Sequence, residues 1–231
     1  MSKQTFFAEV ESFTPLTDSI VRLVLKPEHY VDYQAGQYLN ILVDEEELSY
    51  SIANAPLGSH KYELHIRHSR DNINNQKLFA QLKMQGKARI SLPFGECSMD
   101  KLDLKRPIIF IAGGTGFAQV KSMIEQLLAS DDARSFELYW GARSQADLYL
   151  DEKVKQWQAH VPRFKYVSLI SDEVKDRLGH TVVAHHGQDL AQWQIVLSGP
   201  FDMVFNARDV LLQQGIAANN LFADAFSFES R

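Results

Sequence analysis

The stretch RPIIFIAGGTGFAQVKSMIEQLL, residues 106 to 128, is an apolar run that breaks into Gly113-Gly114-Thr115-Gly116 and resumes with helical spacing. The chemistry available to such a turn is anion binding. Glycines there allow positive φ and let a phosphate approach the main chain, while free N–H groups and about half a unit of positive charge at the following helix start attract it. Two standard glycine motifs do not fit. A nucleotidase-type phosphate loop needs Gly-Lys-Ser/Thr after its first glycine, and the first lysine after these glycines is Lys121. The dinucleotide fingerprint G-x-G-x-x-G fits Gly114 and Gly116 and then meets Gln119, with no acidic residue at the expected distance on a clear second-strand end. Close strand–helix packing is the other role open to these glycines, and residues 106 to 128 alone leave both standing.

Other reactive side chains are less informative. Among the 8 histidines, His65 with His68 and His180 with His185-His186 raise the question of a metal. None forms H-E-x-x-H, and His65 and His68 lie three apart at a strand end, where alternation turns them to opposite faces. No metal site is expected. Cys97 is the only cysteine, which rules out an internal disulfide or an iron–sulfur cluster ligated by cysteines of this chain. It follows a Pro-Phe-Gly turn with no thiolate-stabilising neighbour in the sequence, so an inert side chain is expected. No G-x-S-x-G elbow supports serine hydrolase chemistry.

The elements that must position the glycine turn fall into two halves. From Thr5 to about Pro93 the apolar pattern has a period of two, at Val21, Leu23 and Leu25; Leu39, Ile41 and Val43; Tyr62, Leu64 and Ile66. These read as half-buried strands, punctuated by turn residues at Pro27, Ala35-Gly36, Ala55-Pro56-Leu57-Gly58 and Pro93-Phe94-Gly95, with helical spacing from Asn74 to Met84. Several short strands with one helix predict a small antiparallel barrel. After about Asp103 the strands become continuous apolar runs, Ile108 to Ala112, Phe136 to Trp140, Phe164 to Ile170 and Ile195 to Ser198. Helical or mixed segments separate them. Helical spacing is clearest at Val120, Met123, Ile124, Leu127 and Leu128 and weaker from Asp202 to Gln214. Alternation of this kind predicts a parallel sheet covered on both faces, and puts the glycine turn at the ligand-binding end of its first strand. The expected organisation is residues 1–103 as one domain and 104–231 as a second.

Composition narrows the partners. Of 231 residues, 45% are hydrophobic and 23% charged, which fits a folded globular chain. A formal net charge of -5, with 29 acids against 24 bases and no long basic cluster, does not fit a nucleic-acid or anionic-membrane binder. The N-terminal MSKQTFFAEVESF lacks the apolar core of a signal peptide, and no run of about eighteen apolar residues occurs, so a cytoplasmic protein with small-molecule substrates is expected. Monomer is the default.

Taken in order, AGQYLNILV, LSYSIAN, LPFGE, IAGGTGFAQ, YWGAR, LSGPFDM and FADAFSF resemble the ferredoxin–NADP reductase superfamily, and within it the small bacterial NAD(P)H:flavin oxidoreductases, including those that supply reduced flavin to luciferase. The likeness covers nearly the whole chain. It implies a six-stranded antiparallel Greek-key barrel for flavin, followed by an α/β nucleotide domain, with the two ring systems stacked in a cleft. It places Leu48, Ser49, Tyr50 and Ser51 on the R-x-Y-S flavin segment, and His65 and Ile66 are further expected flavin-binding residues. There Tyr50 lies beside the isoalloxazine, and the Ser51 hydroxyl, able to donate and accept, bonds the ring nitrogen that receives hydride. It further implies that Gly113, Gly114, Thr115, Gly116 and Phe117 hold the nicotinamide dinucleotide, that Ser198, Gly199, Pro200 and Phe201 flank the nicotinamide, and that Arg143, with Ser144, meets a ribose phosphate. Many relatives have cysteine where Ser198 stands. NADH and NADPH both remain open as hydride donor.

The sequence departs from the superfamily at one telling place. Leu48 stands where an arginine fork holds the flavin phosphate, just after Asp44-Glu45-Glu46-Glu47. That acidic run reads as a solvated hairpin tip, and Arg67 and Arg70 are the candidates for a substitute anchor. Without the arginine, affinity must come mainly from the isoalloxazine, so riboflavin, FMN or FAD is expected as a loosely bound, diffusing substrate. A flavin-dependent monooxygenase or a ferric acceptor is the expected downstream user of reduced flavin. Two alternatives are a reductase with bound FAD serving an oxygenase or a ferric siderophore, and a non-catalytic redox-sensing subunit of the same fold. Of the aromatic tail, Phe226 either lines the nicotinamide site or closes the last strand over the core, with the core role favoured; the tail continues as Glu229-Ser230-Arg231.

Overall fold

In the computed structural model, which describes residues 3–69, 71–172 and 174–228, the period-two segments become strands of one antiparallel sheet. These are β1 (Gln4–Thr17), β2 (Ile20–Pro27), β3 (Tyr38–Val43), β4 (Glu46–Ser51), β5 (Tyr62–Arg67) and β6 (Lys87–Phe94). Among the described residues the sheet is six-stranded, in the Greek-key order β4-β3-β6-β1-β2-β5. Its two edge strands meet at the bridge between Ile52 and Leu64, which curls the sheet into a barrel. Inward positions carry the core, with Leu23, Leu39, Ile41, Leu64, Ile66 and Ile90 all fully buried. Helix α1 (Ile73–Gln85) follows β5. The Asn72 side chain caps it by accepting from Asn75 N–H, and Gly86 ends it in the left-handed conformation. The acidic run lies on the β3–β4 hairpin, with Asp44 and Glu45 at the exposed tip and Lys77 paired to Asp44 at 3.4 Å.

Beyond residue 100 the continuous apolar runs form parallel strands β7 (Ile108–Gly113), β8 (Phe136–Ala142), β9 (Phe164–Ile170), β10 (Gln194–Ser198) and β11 (Leu221–Phe222). The helices between them are α2 (Phe117–Ala129), α3 (Asp151–His160), α4 (Val174–His186) and α5 (Phe201–Gln213). Odd-numbered positions Ile109, Ile111, Ile195 and Leu197 pack with Leu178, Val182, Met203 and Ala207, while Phe110, Leu138 and Trp140 are buried on the other face. Burial on both faces is why the three inner strands β7, β8 and β10 read as apolar runs, whereas edge strand β9 exposes Lys165, Ser168 and Ile170. Helices α3 and α4 are weakly marked in the sequence. Polar residues dominate α3, and Gly179 with β-branched Thr181, Val182 and Val183 dilutes the helical signal of α4.

The chain folds as two units, residues 1–100 with 121–130, and residues 101–120 with 131–231. Helix α2 therefore contributes its first turn to one unit and the remainder to the other. No helix among the described residues is long and apolar enough to cross a membrane.

Candidate functional site

In the parallel sheet the strand order β11-β10-β7-β8-β9 reverses direction at β7 and β10. Ligands of open α/β sheets bind beyond the carboxyl ends of strands at such a point. Two of the segments singled out in the sequence sit there. Gly114–Gly116 forms a short 3-10 turn after β7 that leads straight into α2, and Ser198 ends β10 ahead of Gly199, Pro200 and α5. Gly114, Thr115 and Gly116 are partly accessible, and the first turn of α2 carries no acidic residue. A dinucleotide phosphate fits such a helix start.

The two turns touch backbone to backbone. A Cβ on Gly116 would lie 2.3 Å from the Ser198 carbonyl oxygen and 2.6 Å from the Gly199 nitrogen. Gly199 itself has φ +150 and would press a Cβ to within 3.1 Å of Gly113. Packing is thus a sufficient reason for glycine at these positions, and phosphate approach is an additional use of the same surface. Phe117 departs from its expected place. Its ring is fully buried and stacks on Trp140 at 3.9 Å, so the side chain belongs to the core and its main chain alone borders the turn. Trp140 in turn donates Nε1–H to the Gly114 carbonyl at 3.0 Å, which steadies the turn from below.

Arg143 lies just past β8 and is exposed, as is Ser144, whose hydroxyl donates to Asp147 at 2.8 Å. Ser198 is buried, whereas Pro200 and Phe201 are exposed. Phe228 lies with its ring 5.7 Å from that of Phe201, and Phe226 packs against the core of this unit beside Phe205. Gln119 donates to Asp224 at 2.9 Å and so ties the tail to the start of α2. The tail residues Glu229, Ser230 and Arg231 lie outside the described residues.

In the barrel, the register Ile41↔Leu48, Leu39↔Tyr50 and Tyr38↔Ser51 sorts β4 by face. Leu48 and Tyr50 turn to the core side, where burial pushes the Tyr50 hydroxyl up to about 12. Ser49 and Ser51 stand on the other face. The Ser49 hydroxyl donates to Asn40 Oδ1, and Asn40 Nδ2 donates to Glu47. The Ser51 hydroxyl, half-buried at the strand end, is taken by no protein partner among the described residues.

His65 and Ile66 are not where side-chain ligands would be. The alternation that predicts a half-buried β5 fails, because Tyr62 through Ile66 are buried on both faces. Ile66 points into the barrel core, and the outward side is covered by the Lys121–Ser130 part of α2. Main-chain atoms are what these two residues have left to offer. Arg67 is half-buried, and Arg70 lies outside the described residues.

The outward side of β5 holds a charged cluster that sequence reasoning misses. Glu63 accepts from Arg22 Nε at 2.8 Å and from His65 Nε2 at 2.9 Å, and pairs with Lys121 at 3.1 Å. Lys121 also pairs with Glu125 at 2.8 Å and donates to the Ala53 carbonyl at 2.9 Å. A lysine and a glutamate four apart on α2, Lys121 and Glu125, are the available signal. Burial alone would raise the Glu63 carboxyl, but the hydrogen bond from His65, the Lys121 charge and the Arg22 guanidinium outweigh it and hold it well below its ordinary 4.5. Burial holds the His65 imidazole below its ordinary value despite Glu63, so the ring is neutral and donates from Nε2.

A depressed carboxylate stabilises the fold above its unfolded pKa and loses that contribution as pH falls. Thermal unfolding followed against pH is expected to show a midpoint that holds near neutrality and drops as pH falls below about 4.5, with a shallower drop in Glu63→Gln. Among the described residues, no group of three or more His, Cys, Asp and Glu is placed to hold a metal ion.

An antiparallel barrel followed by a parallel sheet with a glycine turn at its switch point is the architecture of a two-unit protein with a nucleotide-binding α/β sheet. Residues 110–209 match the model of the oxidoreductase NAD-binding domain. The chain is 34% identical over 233 residues to the CDP-6-deoxy-L-threo-D-glycero-4-hexulose-3-dehydrase reductase of Yersinia pestis, covering 98% of this chain and 70% of that one. It is 29% identical over 236 residues to an NAD(P)H-flavin reductase of Vibrio harveyi, covering 97% and 99% respectively. The fold superposes on ferredoxin–NADP+ reductase from Plasmodium falciparum with a TM-score of 0.82 at 15% identity, covering 95% of each chain. The chain belongs to the family of these reductases, with an oxidoreductase NAD-binding domain, and shares the fold of ferredoxin–NADP+ reductase.

Proposed function

We propose that the protein is a cytoplasmic, monomeric NAD(P)H:flavin oxidoreductase that reduces riboflavin, FMN or FAD as a diffusing substrate, with residues 1–103 serving flavin and 104–231 serving the nucleotide. The observation that carries this reading is the division of β4. Its outer face ends in the unclaimed Ser51 hydroxyl, while Leu48, where relatives hold a phosphate with arginine, turns an aliphatic side chain to the core. The segment is thus fitted to a flavin ring and unfitted to a flavin phosphate, with four carboxylates next to it in the chain. Tail-indifferent, weak binding follows. The similarity to a flavin reductase along almost its full length supports the same reading.

When both substrates are bound, the reduced nicotinamide supplies a hydride and the isoalloxazine takes it up. The chain contributes position. Ser51 orders the ring edge by hydrogen bonding, first as donor to a bare nitrogen and then as acceptor from a protonated one. The Gly113–Gly116 turn presents main-chain N–H groups to the dinucleotide phosphates, Arg143 faces a ribose phosphate, and Ser198 to Phe201 border the nicotinamide. Reduced flavin leaves for a downstream monooxygenase or ferric acceptor.

The similarity to a reductase named for a dehydrase favours one second reading, a bound-flavin reductase that passes electrons to a partner protein. Extensive desalting separates the two. Protein stripped in this way is expected to be colourless and to oxidise NADH or NADPH at a substantial rate only after riboflavin, FMN or FAD is added back. A stoichiometric yellow flavin that survives desalting, with transfer to an artificial acceptor and no added flavin, selects the second reading.

A further inference from the structure

We infer that Lys121 is a positioning residue for the flavin-binding segment: its ammonium holds the carbonyl of Ala53, two residues past Ser51, and thereby sets where the Ser51 hydroxyl stands. The inference rests on the role proposed above for Ser51.

Lys121 is 3% exposed, and its three protons face three oxygens, Ala53 O at 2.9 Å, Glu63 Oε1 at 3.1 Å and Glu125 Oε1 at 2.8 Å. The same short segment is gripped from further directions. Ile52 N–H donates to Gln37 O at 3.0 Å, Ala53 N–H to Glu63 O at 2.7 Å and Ala55 N–H to Glu125 Oε2 at 3.3 Å. One turn of helix thus fastens residues 53 to 55, where the chain leaves the β3 ladder. Ser122, beside Lys121, accepts from Gly36 N–H at 3.0 Å and fastens the entry to β3, the strand paired with Ser51. Both ends of the hairpin that carries Ser51 are therefore held by neighbouring residues of α2.

Stability alone does not account for this arrangement. Arg22 and Lys121 balance Glu63 and Glu125 with His65 neutral, and a balanced buried ion cluster is in general no more stabilising than well-packed apolar side chains of the same volume. What an apolar side chain cannot do is fix a main-chain carbonyl at hydrogen-bonding distance. Strand β4 is an edge strand of the sheet, and past Ser51 its course is set by the Ile52 bond to Gln37, the bridge of Ile52 to Leu64, the Ala53 N–H bond to Glu63 and Lys121 on the Ala53 carbonyl. Lys121 alone holds the carbonyl side of Ala53 among these contacts, and so contributes to the reach of the serine.

The test uses the full chain and two variants. Lys121→Met combined with Glu125→Gln removes one charge of each sign, and the amide oxygen introduced at position 125 would still accept from Ala55 N–H. Steady-state kinetics should show the riboflavin KM raised, or kcat lowered, by about tenfold with the NAD(P)H KM unchanged. Lys121→Arg keeps the charge and a donor but replaces a tetrahedral head by a planar fork, and should show the same split at about threefold. Thermal unfolding identifies which variants are folded. Wild-type flavin kinetics in a folded variant, or flavin and nucleotide parameters shifting together, overturns the inference. If wild-type protein itself shows no flavin-dependent turnover, it is the proposed function that fails.

Discussion

Ser51→Ala is expected to lower the turnover number for flavin reduction about a hundredfold while leaving the KM for NAD(P)H essentially unchanged. The asymmetry follows from where Ser51 sits. It closes β4 opposite Tyr38, its hydroxyl has no protein partner among the described residues, and the hairpin that carries it is fastened by other groups. Removing that oxygen therefore breaks nothing in the fold, and thermal unfolding should stay within about 0.5 kcal/mol of wild type. What is lost is a donor and acceptor at the ring edge, which matters more as the electron distribution of the ring changes than in ground-state binding. Stopped-flow measurement of flavin bleaching under anaerobic conditions separates hydride transfer from product release. An unchanged rate in that experiment removes Ser51 from the mechanism.

Gly116→Ala is expected to be severely damaging for so small a change. The added carbon would fall 2.3 Å from the Ser198 oxygen and 2.4 Å from its carbonyl carbon, and neither is a flexible side-chain tip. Relief requires the turn after β7 and the turn after β10 to separate, which costs about 3 kcal/mol and opens the strand ends where nucleotide is proposed to bind. The variant should melt well below wild type and bind NAD(P)H at least about tenfold more weakly, with riboflavin affinity far less affected. Unaltered melting and nucleotide affinity would mean that the two turns do not pack as described.

These expectations draw on sequence and structure unequally. The parallel strands β7, β8 and β10 are legible as apolar runs because they are buried on both faces, whereas β9, at the sheet edge, carries exposed Lys165 and Ser168. Strands β2 and β3 are legible from period-two apolar positions that face the barrel core, Leu23 and Leu25 on β2 and Leu39 and Ile41 on β3. The glycine turn stood out because so many residues without side chains are rare at a strand–helix junction. Strand β5, whose alternation predicts a half-buried strand, is buried on both faces. Its polar residues Glu63 and His65 look like a solvent face until Lys121, 58 positions later in the chain, supplies the partner that lets them be buried.

The same reason separates the two kinds of site residue. Residue types at short range settled the architecture, the departure at Leu48 and the serine offered by β4, because each depends on local pattern or on a few consecutive side chains. Folding in three dimensions assigned Phe117 to the core, turned Ile66 inward, brought Gly116 against Ser198 and set Lys121 on the carbonyl of Ala53. Those facts depend on contacts between distant segments, and no periodicity within one segment records which distant segment will cover it.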